Sequence, residues 1–192
     1  MAEVLLFHHI QGLTDGVRSV ADELRRVGHV VHTPDLFDGR TFDSLEEGSA
    51  FVRDTGFDAL WELGSAAADE LGDGLVYAGF SFGVMIAQGL AQTRPGARGA
   101  LLLYSCIPVS EFGEAWPEGV PVQIHGKEGD EFFLEDLPAA RELVASTADA
   151  ELFLYPGDQH LFADASLDAY DPEASALLMS RVRAFLAGPA VR

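Results

Sequence analysis

Between an apolar run ending near Ala78 and an apolar-periodic segment beginning at Gly83, the chain carries Gly79-Phe80-Ser81-Phe82-Gly83. A serine in that setting has the means for nucleophilic attack on a carbonyl carbon. It must stand proud of a sheet, which forces a sharp, strained strand-to-helix turn. Small residues two before and two after it let the backbone crowd there. The helix behind then offers its N-terminal dipole and free N–H groups to a developing oxyanion. Without the flanking strand and helix, the same five residues read as an ordinary glycine-rich turn.

A serine is a weak nucleophile at neutral pH and needs a base, which in turn needs an orienting carboxylate. Sites built on such an elbow run nucleophile, acid, histidine along the chain. Only His125 and His160 follow Ser81. His160 lies in Tyr155-Pro156-Gly157-Asp158-Gln159-His160, just past the last expected strand, at the carboxyl edge where open parallel sheets hold their sites. His125 ends the fifth expected strand and reads as a packing or hydrogen-bonding residue. Asp130 lies in the loop beyond it and is the expected acid, with Glu128, Glu131 and Asp136 as near competitors. Asp158 reads as a loop cap.

The second oxyanion donor is expected in His8-His9-Ile10-Gln11-Gly12, after the first strand. The expected pair is Ile10 N–H with Phe82 N–H. The twin histidines raise a metal-dependent alternative. Adjacent residues in a strand-end loop diverge, and no H-E-x-x-H spacing supports it, so no metal is expected. Cys106 has no glycine elbow and reads as a small buried hydrophobe.

The elements needed to position these groups are legible as strand-length apolar runs alternating with helical periods, the pattern of an α/β domain. Strands are expected at Glu3–His8, His29–Thr33, Gly74–Ala78, Ala100–Tyr104, Val120–Ile124 and Glu151–Tyr155. Helices are expected from Thr14 or Asp15 to about Val27, around Ser44–Arg53, and over Phe57–Leu71, Gly83–Gln92, Glu135–Thr147 and Pro172–Leu186. No repeat, low-complexity tract or linker interrupts them, so residues 1–192 are expected to form a single domain.

Composition narrows the partners. Twelve basic residues stand against 31 acidic ones, a formal net charge of -19, which repels phosphate backbones and anionic lipid surfaces. The acidity reads as a solubilising face or as adaptation to high salt. No apolar run approaches the roughly 18 residues of a membrane span, and no signal-type leader precedes Val4. One cysteine excludes a disulfide framework. These bounds point to a soluble, cytoplasmic protein without nucleic-acid or membrane partners, its oligomeric state left open.

Taken together, four segments resemble the dienelactone hydrolase family of α/β-hydrolases: the Gly79–Gly83 elbow, Pro34-Asp35-Leu36-Phe37, His125 with Asp130, and Tyr155-Pro156-Gly157 leading to His160-Leu161-Phe162. The resemblance implies a compact α/β-hydrolase fold of about six mostly parallel strands, in the order 2-1-3-4-5-6, with helices on both faces, no N-terminal hairpin and no large cap domain. It implies a triad of Ser81, Asp130 and His160 that cleaves a small carboxylic ester or lactone through an acyl-enzyme, without a cofactor. The chain departs from the family at three places. Ser81 replaces the elbow cysteine, His9 stands where relatives carry a glutamate, and Asp164 stands where an arginine holds a substrate carboxylate. Dienelactone itself is therefore not the expected substrate. Phe112 and Trp116 are expected to wall the site, with His9 and Trp116 in the substrate pocket. The alternative is a catalytically silent binding module on the same scaffold.

Overall fold

Strands buried on both faces need apolar side chains in both directions, and the chain supplies them in two alternating sets. In the computed structural model, which describes residues 1–189 and Val191, six strands form one sheet. They are β1 (Glu3–Phe7), β2 (Val30–His32), β3 (Val76–Phe80), β4 (Gly99–Leu103), β5 (Val122–Lys127) and β6 (Ala150–Tyr155). Their order is β2-β1-β3-β4-β5-β6, and every pairing is parallel. This is the expected order.

The helices are α1 (Asp15–Arg26), α2 (Leu45–Thr55), α3 (Phe57–Leu71), α4 (Phe82–Thr93), α5 (Glu131–Ser146) and α6 (Pro172–Ala187). Val4, Leu6, Val76, Ala78 and Leu101 pack with Val17, Val20 and Leu24 of α1 and Leu178 and Val182 of α6. Their neighbours Leu5, Phe7, Tyr77, Ala100 and Leu102 face the other way, against Leu60 of α3, Ile86 and Leu90 of α4, and Leu143 of α5. The period of two along each strand thus splits the core into two layers. In α1 the buried residues recur at helical spacing, and the Thr14 hydroxyl accepts the Val17 N–H to cap the first turn. No helix of the described residues is long and apolar enough to cross a membrane.

Several expected boundaries shift, and three of the shifts have a packing reason. β3 runs two residues further than Gly74–Ala78, because Gly79 and Phe80 still pair with Leu102 and Leu103 of β4. β5 extends to Lys127, since His125, Gly126 and Lys127 pair with Phe153, Leu154 and Tyr155 of β6. All three are buried. α5 begins at Glu131 rather than Glu135, because Asp130 caps it by accepting the Phe132 N–H. Between β4 and β5 lies a short connection with one 3-10 turn, Val109–Glu111. Because all strands are parallel, their carboxyl ends open onto one edge, where the loops carrying Ile10, Ser81, Asp130 and His160 come together.

Candidate active site

Ser81 sits between β3 and α4 with φ 48° and ψ -110°, a left-handed conformation that a non-glycine residue rarely holds. The glycines around it explain how the turn closes. A Cβ on Gly79 would lie 2.3 Å from the Gly83 carbonyl oxygen, and one on Gly83 would lie 2.6 Å from those of Phe7 and His8. α4 therefore starts in backbone-to-backbone contact with the end of β1. The Ser81 N–H donates to Leu103 O at 2.7 Å, which anchors the turn to β4.

The Ser81 Oγ lies 2.8 Å from His160 Nε2, and His160 Nδ1 lies 2.6 Å from Asp130 Oδ2. The three residues come from the ends of three different strands. Asp130 is buried, and its other oxygen caps α5, so the helix that it starts also fixes its direction. Among the competing carboxylates, Asp136 is engaged elsewhere, accepting from Ser105 Oγ and the Cys106 N–H. His160 is followed by Leu161 at φ 59°, and its ring packs against Tyr104 and Phe132 at 5.7 and 4.9 Å between centroids.

Phe82 directly follows Ser81 at the start of α4, and Ile10 lies in the loop after β1. Neither N–H donates to a protein acceptor among the described residues, whereas the neighbouring Gln11 and Gly12 N–H groups are both taken. Phe82 opens α4, where the first N–H groups have no intrahelical partner.

Several expected positions differ. His9 is wholly buried and does not line a pocket: its Nε2 lies 2.7 Å from Asp164 Oδ2, and its Nδ1 accepts the Gln11 N–H. Asp164 also accepts from Thr14, from the Ser166 hydroxyl and from the Ser166 N–H, and so points inward rather than at a ligand. Burial pushes its carboxyl up, but the bonds from His9, Ser166 and Thr14 outweigh this and hold it down at about 2. Trp116 donates its indole N–H to Val120 O and borders clefts shared with α5 residues such as Ser146. Phe112 stacks on Trp61 of α3 over Gly89, two turns along α4 from Ser81. The connection after β4 folds down over α4 and α5 instead of walling the site.

His8 and His9 do not converge on a common point. His8 Nδ1 meets His9 O at 2.7 Å and Nε2 accepts the Leu36 N–H at 3.1 Å, so all four ring nitrogens of the pair have protein partners. His125 is buried between Tyr155 and Gln123, and burial pushes it down to about 3. Cys106 is buried, and burial pushes its thiol up to about 12.

The structure adds residues that spacing did not reveal. Phe132, more than half exposed, flanks His160 on a cleft of about 220 Å³ with Glu131 and Asp158. A second cleft of about 290 Å³, lined by Gln11, Asp43, Ser44, Leu45, Leu161, Leu167, Asp168 and Ala169, reaches His160 from the other side. A roomier groove of about 600 Å³ adjoins it through Asp43, Leu167 and Asp168 but touches none of the three site residues. Lys127, the only lysine in the chain, is buried beneath the histidine loop. It donates to Gln159 Oε1 at 2.5 Å and to Asp171 Oδ2 at 2.7 Å. Its solitary occurrence was the one signal in the sequence.

Comparison with known proteins places the fold and the family. The model of the dienelactone hydrolase family matches residues 1–188. A solved dienelactone hydrolase-like promiscuous phosphotriesterase from metagenomic libraries is 19% identical, with a TM-score of 0.77 over 97% of this chain and 86% of that one. Dienelactone hydrolase from Anabaena variabilis ATCC 29413 is 14% identical, with a TM-score of 0.61 over 97% and 86%. A thioesterase domain from the curacin biosynthetic pathway is 17% identical, with a TM-score of 0.65 over 95% and 90%. At these identities the likeness is one of fold. A search of curated proteins gives no match.

Proposed function

Because the chain belongs to the dienelactone hydrolase family, over residues 1–188, we propose that it hydrolyses a small carboxylic ester or lactone through a covalent intermediate on Ser81. The observation that carries this reading is the 2.8 Å approach of His160 Nε2 to Ser81 Oγ, on a strained turn, with Asp130 on the opposite ring nitrogen. Ser81 Oγ attacks the carbonyl carbon while His160 takes its proton. The Ile10 and Phe82 N–H groups receive the negative charge on the carbonyl oxygen. The tetrahedral intermediate collapses, and His160 gives the proton to the leaving alkoxide oxygen. Water, deprotonated by His160, then attacks the acyl-enzyme, and the proton returns to Ser81 as the acid leaves. Asp130 holds the ring with Nδ1–H toward itself and stabilises the imidazolium.

The surroundings bear on the substrate. The cleft on the Gln11 side carries Asp43 and Asp168 and neither lysine nor arginine, and Asp164 occupies the place of the family's arginine. A substrate bearing its own carboxylate is thus disfavoured, and neutral esters or lactones fit better.

Fluorophosphonate labelling of wild type beside Ser81→Ala, with a panel of p-nitrophenyl esters of increasing chain length, tests this reading. Labelling and turnover in wild type alone are expected, with Ser81→Ala losing activity on the order of 10⁶-fold. A folded wild type that neither labels nor turns over would falsify the enzyme reading and leave a binding module.

A further inference from the structure

The proposed chemistry needs the Ile10 N–H held in one direction, and the His8 ring before it takes no direct part in that chemistry. We infer that His8 is a positioning residue: its imidazole holds the His9–Ile10 peptide so that the Ile10 N–H is presented to the oxyanion. This inference rests on the proposed function and names a further part of the same site.

The His9 carbonyl accepts two hydrogen bonds, from His8 Nδ1 at 2.7 Å and from the Gly12 N–H at 3.0 Å. The peptide is trans, so fixing this carbonyl turns the Ile10 N–H to the opposite side. The tautomer of His8 is set independently. The Leu36 N–H donates to Nε2 at 3.1 Å, so Nε2 is the acceptor and the proton sits on Nδ1. Burial pushes His8 down to about 4, against the pull of the His9 carbonyl, which keeps the ring neutral near pH 7. The ring lies edge-on to the buried Phe37 with centroids 4.5 Å apart, so it has little room to turn.

The adjoining groups complete the selection. The Gln11 N–H is taken by His9 Nδ1 and the Gly12 N–H by the His9 carbonyl, so that of these three consecutive N–H groups only that of Ile10 is without a protein acceptor among the described residues. The Ile10 carbonyl is lodged against Gly48 of α2, where a Cβ would lie 2.1 Å away. Gly83 meanwhile brings the first turn of α4, with the Phe82 N–H, against the Phe7 and His8 carbonyls.

Two substitutions separate this role from simple packing. In His8→Asn the side-chain amide nitrogen falls near the position of Nδ1 and keeps a donor for the His9 carbonyl. In His8→Gln the amide oxygen falls near Nε2 and keeps the Leu36 contact, but the donor to His9 is lost. Both remove the same ring from Phe37, so similar losses of Tm are expected. With p-nitrophenyl acetate, His8→Gln is expected to lower kcat about 10- to 100-fold at little-changed KM, part of the 10²–10³ that removal of a whole oxyanion donor costs. His8→Asn should recover most of that kcat. Equal kcat losses in both, or a loss confined to KM, overturn the inference while leaving Ser81 chemistry intact. Turnover that survives Ser81→Ala overturns the proposed function and this inference with it. Should neither variant fold, 15N NMR of the wild-type imidazoles decides. A His8 ring protonated at Nδ1 and coupled to the His9 carbonyl is expected, and one protonated at Nε2 overturns it.

Discussion

Two Asp–His pairs stand on the same edge of the sheet, and they differ in what the second ring nitrogen meets. Asp130–His160 and Asp164–His9 are nearly identical as contacts, 2.6 and 2.7 Å, and both carboxylates are buried. His160 directs its remaining nitrogen at the Ser81 hydroxyl. His9 directs its own at the Gln11 backbone N–H, inside a closed loop with no exposure. A carboxylate beside an imidazole is therefore not enough to make a base. The base needs a second nitrogen facing an exchangeable proton and a cleft through which substrate and water arrive. The buried pair does structural work instead, fastening the loop after β1 to the loop after β6 across 155 positions of sequence.

Removing each carboxylate's charge should break the resemblance between the pairs. Asp130→Asn leaves the shape of the site but favours the wrong tautomer of His160. A kcat loss on the order of 10⁴-fold is expected with p-nitrophenyl acetate, and less than tenfold would reject the role assigned to Asp130. Asp164→Asn should instead show in folding, because one amide cannot accept from His9, Thr14 and Ser166 together. Urea unfolding should report a loss of about 1–3 kcal/mol with kcat lowered less than tenfold. A loss of kcat as large as that of Asp130→Asn would make the buried pair a functional one.

The smallest effect sharpens the comparison through pH. The Asp164 carboxyl is held down at about 2 against an ordinary 3.8, so its contribution is present above pH 3.8 and fades as pH falls through 2. His8 and His125 are held down to about 4 and about 3 against 6.5. Below pH 6.5 the unfolded chain takes up their protons first, so stability falls as pH is lowered toward those values. All three groups act in the same direction. Stability measured by urea unfolding should drop from pH 7 to pH 4, and His125→Gln should flatten that slope. An unchanged slope in the variant rejects the neutral, buried state of His125.

Much of the fold was legible because its signals are local. The alternation of strands and helices, the Phe57–Leu71 helix and the glycine spacing around Ser81 depend on residues adjacent in sequence, where pattern and sterics act directly, whereas the order of the strands was implied by the family resemblance. Polar strand ends were harder. The expected fifth strand stopped short of Gly126-Lys127, since only pairing with β6 and cover from α5 and α6 make burial there tolerable. The choice of Asp130 among four nearby carboxylates rested on loop placement, and the cap of α5 gives that position its physical reason. His9 and Trp116 were misjudged because position in a loop does not say which way a side chain turns.

By itself, the sequence determined that a parallel α/β sheet would form and that a serine would stand on a tight turn at its carboxyl edge. Backbone sterics and hydrophobic period act over a few residues and leave little choice. Only the tertiary structure decided which histidine faces that serine and which is sealed away. Hydrogen-bond direction and burial belong to groups brought together from distant parts of the chain, and no local pattern encodes them.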